Sequence, residues 1–262
     1  MVFERYRFEL RGRNREIASY FRYFTNCKKS FQAKFVILSQ ARTGSVLLGE
    51  LINCHNNIFC DTEIFLPSRV GKVYLPLIYI EGTSARFTDK VYGFQLKPYQ
   101  IAETDTQNLD LEEFINCLHQ GGWKIVFLKR NNYLKQAISD TVAKKRKKWH
   151  DTLENSLEGR KFHISCQDLI LRIEKREQAG LQCEKILDYI PHIRVVYEDD
   201  LLSANMHQVT AKKVFDFLEV PEIPVHTTLK KTVSDSIIDV VENYPEVVET
   251  LQGSKYERFL AD

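Results

Sequence analysis

Apolar residues fall along this chain in two rhythms. Phe35 to Leu38 run without interruption, as in a strand buried on both faces, and the small polar stretch Ser39 to Ser45 then gives way to an apolar period restarting at Val46. The same alternation of short apolar runs with helical periods recurs downstream. It predicts strands at 34–39, near 92–96, at 124–128 and at 193–197. Helices are predicted at 45–55, 111–120, 132–148, 166–188 and 206–218, with short helices to the end. Strands that alternate with helices call for a parallel sheet covered on both faces, so the expected fold is a single α/β domain with a central parallel sheet flanked by helices. The stretch from Leu66 to Asp89 carries Pro67, Gly71, Pro76 and Gly82 and reads as an irregular loop of the kind that covers a substrate. No Pro/Gly/Ser-rich linker divides the chain, so residues 34–262 form the main domain and residues 1–33 a basic N-terminal extension that could pack as an extra helix.

The turn after the first strand carries the most chemistry. A strand, a tight polar loop and a helix leave backbone N–H groups of the first helical turn unpaired and aimed outward, which suits an anion. Arg42 adds a guanidinium fork, Thr43 and Ser45 add hydroxyls, and Gly44 allows close backbone approach, with the amide of Val46 next in line. The loop lacks the first glycine and the lysine of a nucleotide triphosphatase loop, and Gly44 stands alone where a dinucleotide fingerprint needs three spaced glycines. A second basic element follows the strand at 124–128. Arg130 lies just past its carboxyl end, where open parallel sheets bind ligands, and Ser139 lies on the helix that follows.

In SQARTGSVLLGELINCHNNIFCDTEIF this chain resembles the 5′-phosphosulfate loop and following helix of sulfotransferases that use 3′-phosphoadenosine 5′-phosphosulfate, PAPS. The likeness is to the bacterial carbohydrate type, such as the nodulation-factor and trehalose sulfotransferases, with their R-S-G-S-T-L-L core. Two further segments, Arg130 to Ser139 with Gln136 and Ala137 before the serine, and Tyr197–Glu198–Asp199 after the last strand, resemble that group in the same chain order. The resemblance implies a P-loop-like site in which Arg42, Thr43, Gly44, Ser45 and Val46 hold the phosphosulfate, and Arg130 and Ser139 hold the 3′-phosphate. It implies that Tyr197 meets the adenine, and that Lys230, Lys231 and Ser234 close over the 3′-phosphate. Read from the residues alone, Tyr197 equally suits a strand end before a helix capped by Asp199 or Asp200, and the lysine pair suits a basic loop before a helix near Ser236. Two departures stand out: Val46 replaces a hydroxyl residue, and Gln95 stands where a lysine is expected, with Lys97 two positions on along the same strand face.

The resemblance also implies a glutamate general base, placed at Glu63, with His55 as the second choice; a histidine ending a helix also suits a cap. The expected activity is transfer of a sulfuryl group from PAPS to a hydroxyl of a small-molecule or glycan acceptor, a carbohydrate or glycolipid, without a metal and leaving 3′,5′-adenosine bisphosphate. Residues 64–90 and 149–165 would shape the acceptor pocket. The alternative is a catalytically inactive nucleotide- or nucleic-acid-binding protein on the same fold.

Composition trims the choices. The formal charge of +2 over 262 residues does not mark a polyanion binder, and the run Lys144, Lys145, Arg146, Lys147, Lys148 before Trp149 is expected to offset a helix dipole and attract the cofactor, not bind nucleic acid. Six cysteines show neither C-x-x-C pairs nor histidine partners at zinc spacing, so neither a disulfide framework nor a metal site is expected. The opening MVFERYRFELRGRNREIASY is too charged for a secretory segment, and no apolar run nears the roughly 20 residues of a membrane span. A cytoplasmic protein with no integral membrane segment is expected.

Overall fold

The structure, a computed structural model, describes residues 2–25, 33–104, 109–146, 161–229 and 236–260. Helix α1 (Val2–Thr25) precedes β1 (Lys34–Ser39), α2 (Ser45–Asn53) and β2 (Ile58–Glu63). Two helices, α3 (Pro67–Val70) and α4 (Pro76–Ser84), lead into β3 (Val91–Leu96), α5 (Pro98–Thr104) and α6 (Leu111–Gln120). Next come β4 (Trp123–Lys129), α7 (Tyr133–Arg146), α8 (Cys166–Leu187) and β5 (His192–Val196), then α9 (His207–Leu218) and α10 (Tyr244–Leu251).

The five strands form one parallel sheet in the order β2-β3-β1-β4-β5. β1 is central because both its faces are apolar: Val36 sits beside Phe94 and Ile125, and Ile37 beside Gln95 and Val126. Alternate residues feed two separate cores. Val36 and Leu38, with Phe94 and Ile125, bury against Tyr79 and Ile80 of α4, Phe114 of α6 and Ile186 of α8. Phe35 and Ile37, with Val126 and Val195, bury against Leu48 and Leu51 of α2 and Val214 and Phe215 of α9. A third cluster joins α7, α8 and α10 beyond the β5 side through Leu134, Ile138, Ile173, Val247 and Phe259. The chain builds outward from β1 to β2 and β3 on one side, then crosses to β4 and β5 on the other. That reversal puts a crevice at the carboxyl ends of the central strands.

The segment from Leu66 to Asp89 is not the irregular loop its prolines and glycines suggest. Pro67 and Pro76 each occupy the first turn of a helix, where a missing N–H costs nothing and the fixed φ favours the turn, so they start α3 and α4 and do not break them. Strand β2 was also not expected. Its last three residues, Asp61, Thr62 and Glu63, are polar because it lies at the sheet edge, and the register shifts between Asp61 and Glu63. Helix α2 ends at Asn53 instead of residue 55, and α7 is described only as far as Arg146.

Helix α1 lies on α3 and α4. A Cβ on Gly82 would fall on the carbonyl of Ser19, and one on Gly12 on the carbonyl of Val70, so the absent side chains let the backbones meet. Ser19 and Thr83 share a buried hydroxyl contact of 3.0 Å, and the Arg22 Nε donates to the Gly82 carbonyl at 3.0 Å. Arg15 reaches the Arg69 carbonyl at 2.9 Å.

Candidate active site

Every strand delivers a chemically active residue at its carboxyl end: Glu63 on β2, Lys97 after β3, the Ser39–Ser45 loop after β1, Arg130 after β4 and Tyr197 after β5. The loop turns sharply because two of its residues, Arg42 at φ 65° and Gly44 at φ 89°, adopt left-handed backbone. The first helical bond of α2 runs from the Leu48 N–H to the Gly44 carbonyl at 3.0 Å, and no side chain caps the helix. The N–H groups of Ser45, Val46 and Leu47 are therefore left over at the start of a helix whose dipole favours negative charge.

Side chains from distant elements hold this loop from several directions. The Thr43 hydroxyl, buried, donates to the Gln40 carbonyl at 2.9 Å, so it closes the loop on itself where a ligand contact was expected. Gln136 of α7 donates to the Ala41 carbonyl at 2.7 Å. Arg42 turns its Nε to the hydroxyl of Ser139 at 3.0 Å, and the Arg130 Nη1 donates to the Arg42 carbonyl at 3.3 Å. The sequence elements around Arg42, Arg130 and Ser139 thus meet in one cleft.

Tyr197 opens a single π-helical turn, Tyr197–Leu201, and its ring lies between the loop and Arg130. The Arg130 guanidinium carbon is 4.5 Å from the ring centroid, a cation–π distance, and a Cβ on Gly44 would come within 2.7 Å of the ring edge. The neighbouring Glu198 accepts the N–H groups of Asn131 and Asn132 at 2.9 and 3.0 Å and stands 3.7 Å from the Arg130 Nε. Asp200 accepts the N–H of Val196, the residue before this turn, at 2.6 Å.

Below the loop lies Lys97, the lysine that the sequence offers in place of the one missing at Gln95. Lys97 is 1 % exposed, and its Nζ donates to the Ser39 hydroxyl at 2.8 Å and the Ser45 hydroxyl at 2.7 Å. Burial pushes its pKa down to about 8, against the opposing pull of Glu63. Gln95 is buried beside Gly49 of α2, its amide nitrogen 2.9 Å from where a Cβ on that glycine would lie. Glu63, half-buried, accepts from the Gln100 Nε2 at 2.6 Å, while the Gln100 Oε1 accepts the Lys97 N–H at 3.0 Å. The carboxylate is thereby fixed beside the lysine's backbone.

Two arginines on α8, Arg172 and Arg176, were not foreseen. Both reach Asp140, at 3.3 and 3.1 Å, as does Lys144 at 2.9 Å. Burial lowers the pKa of Arg176, and Arg172, Arg42 and Arg130 lower it further while Asp140 opposes them. Arg42 is lowered in the same way, by burial first and by Arg130, with Asp140 again opposing. Several guanidiniums thus crowd one carboxylate beside Ser139, which leaves a local excess of positive charge.

His55 is placed elsewhere. It follows the far end of α2, a nine-residue helix about 14 Å long that starts at the loop. Its ring is buried edge-on against Phe215 at 5.3 Å, and its Nδ1 accepts the Asn57 N–H at 3.1 Å. The body of α2 separates it from the cleft, which corrects its expected place as an alternative base. Lys230, Lys231 and Ser234 lie outside the described residues, as do Lys147, Lys148, Trp149 and most of 149–165. Among the described residues no group of three or more His, Cys, Asp or Glu could hold a metal ion, and no helix is long and apolar enough to cross a membrane.

Fold and site together define an α/β protein that gathers arginines, hydroxyls and helix-start amides along the carboxyl edge of a parallel sheet. No family model matches the chain, and no curated protein matches it. Among solved structures it is similar to a sulfotransferase from Alicyclobacillus acidocaldarius, at 14% sequence identity over 79% of this chain and 88% of that one, with a TM-score of 0.47.

Proposed function

We propose that this protein is a sulfotransferase that uses PAPS and transfers its sulfuryl group to a hydroxyl of a carbohydrate or glycolipid. The observation that carries the reading is the meeting of Arg42 with both Ser139 and Arg130, since one ligand can then engage the loop and the α7 element together. The donor set fits such a ligand: guanidiniums, hydroxyls and helix-start amides are hard anion donors, and they outnumber the carboxylates among them. When bound, PAPS supplies an activated sulfuryl group on a phosphate leaving group.

The chain's own residues supply the rest. The amides of residues 43–46 and the Arg42 side chain hold the negative charge that grows on the departing phosphate, and being fixed beforehand they need no rearrangement to do so. Arg130 and Ser139 hold the other end of the adenylate, and Tyr197 flanks it. Glu63, held by Gln100, accepts the proton of the attacking hydroxyl as the new S–O bond forms and the bond to the phosphate breaks. Tyr99, 45% exposed on α5, lies within the fields of Glu63, Asp140 and Arg176; burial first and then Glu63 push its pKa up to about 12. Its open ring is a platform on which a sugar can lie, which favours a carbohydrate acceptor.

The test is calorimetric titration with 3′,5′-adenosine bisphosphate, followed by labelled-sulfate transfer from PAPS to a panel of glycans. Tight bisphosphate binding and labelled product are expected. Absence of bisphosphate binding, or RNA binding that depends on the basic run at 144–148, would sink the reading.

A further inference from the structure

Lysine is among the residues least often buried, because an ammonium loses far more on leaving water than hydroxyls return. Lys97 is nonetheless fully enclosed, and among the described residues no carboxylate lies within ion-pair distance of it. An ammonium has three donors and no acceptor, so both serines receive hydrogen bonds from it and each keeps its own O–H proton to give away. Ser45 is the first residue of α2, beside the unpaired amides of the anion loop. The positive charge thus touches the hydroxyl of the residue that opens α2, next to that helix's unpaired amides.

We infer that Lys97 is the buried counter-cation of this loop, a positioning residue that acts on the bound phosphosulfate through the Ser45 hydroxyl. The inference rests on the sulfotransferase reading and deepens it. It accounts for two oddities of the loop, which has no lysine of its own and has Val46 where a further hydroxyl is expected. The charge rises instead from the end of β3, two residues beyond Gln95, because β3 lies directly beside β1 in the sheet. An ammonium donating to Ser45 polarises that hydroxyl and makes it a stronger donor to an anion above.

The titration of Lys97 supplies the test. The groups facing it are Ser39 on β1, Ser45 on α2, Gln100 on α5, and Glu63 and Cys60 on β2; the Glu63 carboxylate favours the protonated form, and the Cys60 thiol, its pKa raised by burial, is neutral at these pH values. With a pKa of about 8 in the free protein, Lys97 is charged at neutral pH and largely neutral near pH 9. An anion above it restores the proton. Binding of 3′,5′-adenosine bisphosphate should therefore take up a substantial fraction of one proton at about pH 9 and almost none at about pH 7. Calorimetry in two buffers of different ionisation enthalpy reads that uptake directly.

The Lys97→Met variant, its fold checked by circular dichroism, should bind the bisphosphate about tenfold more weakly at neutral pH. It should lose the proton uptake and the extra fall in affinity between about pH 7 and about pH 9. A merely structural lysine would lower the melting temperature of the variant but leave wild-type binding without proton uptake, and that result overturns the inference while the sulfotransferase reading stands. Equal affinity of wild type and variant also overturns it. Should the variant not fold, the wild-type uptake decides alone. Should the wild type not bind the bisphosphate at all, the parent reading fails and Lys97 loses its assigned role with it.

Discussion

Arg42 and Ser139, 97 residues apart in sequence, are joined by a 3.0 Å hydrogen bond from guanidinium Nε to hydroxyl oxygen. The bond ties the loop after β1 to the helix after β4. Removing either partner should therefore disturb the same ligand. Arg42→Ala is expected to weaken bisphosphate binding by about 10- to 100-fold, as for loss of a charge-assisted donor. Ser139→Ala should weaken it less. A double-mutant cycle read by calorimetry should give a coupling of about 0.5–1.5 kcal/mol, whereas additive effects would mean that the two residues serve separate ligands.

Glu63 can be separated from binding. Its Oε2 accepts from Gln100, and the amide oxygen of Glu63→Gln can keep that contact, so the cleft should keep its shape. Sulfate transfer by the variant is expected to fall by about 10²- to 10⁴-fold, the usual worth of a general base, and by far more than bisphosphate affinity changes. A variant that retains its rate would remove Glu63 from the chemistry.

Lys97 makes stability depend on pH with a definite sign. Its folded pKa, about 8, lies below the unfolded value of 10.5, so between these limits the unfolded chain binds more protons and stability rises with pH. The cost of burying the charge is fully present below about pH 8 and is gone above about pH 10.5. Measured by urea unfolding, the stability of the wild type relative to Lys97→Met should climb across this window by up to about 3 kcal/mol. A flat difference would mean that Lys97 keeps an ordinary pKa.

Gly44 is the loop position that tolerates no side chain. Its φ of 89° is strained for any other residue, and a Cβ would stand 2.7 Å from the Tyr197 ring. Gly44→Ala should cost about 1–3 kcal/mol of stability by denaturant titration and weaken bisphosphate binding, because the Tyr197 ring must move off the loop. Gly122→Ala is the control: its φ of 78° is similar, but a Cβ there meets nothing within 4 Å, so it should cost less and leave binding intact.

How much was legible in the sequence depended on where each residue lies in the sheet. Phe35–Leu38 and Ile125–Leu128 announced themselves because central parallel strands are covered on both faces and so are continuously apolar. Strand β2 did not, since an edge strand needs only one apolar side and its Asp61 is spent on Arg69, at 2.9 Å. Pro67 and Pro76 misled for a related reason: a proline marks the boundary of a helix from sequence, but which side of it the helix occupies is settled by the packing of α3 and α4 under α1.

The sequence by itself determined the alternation of strands and helices, the parallel sheet, and the short loop at Arg42–Ser45 with its bare helix start, because these depend on local periodicity and on which backbone groups a turn leaves unpaired. Only the tertiary structure decided what gathers around that loop. Lys97 reaches Ser39 and Ser45 because β3 pairs with β1, Arg176 reaches Asp140 because α8 packs on α7, and His55 is excluded because α2 stands between it and the cleft. Charge in a folded protein takes its meaning from neighbours and burial, and neither is a property of position along the chain.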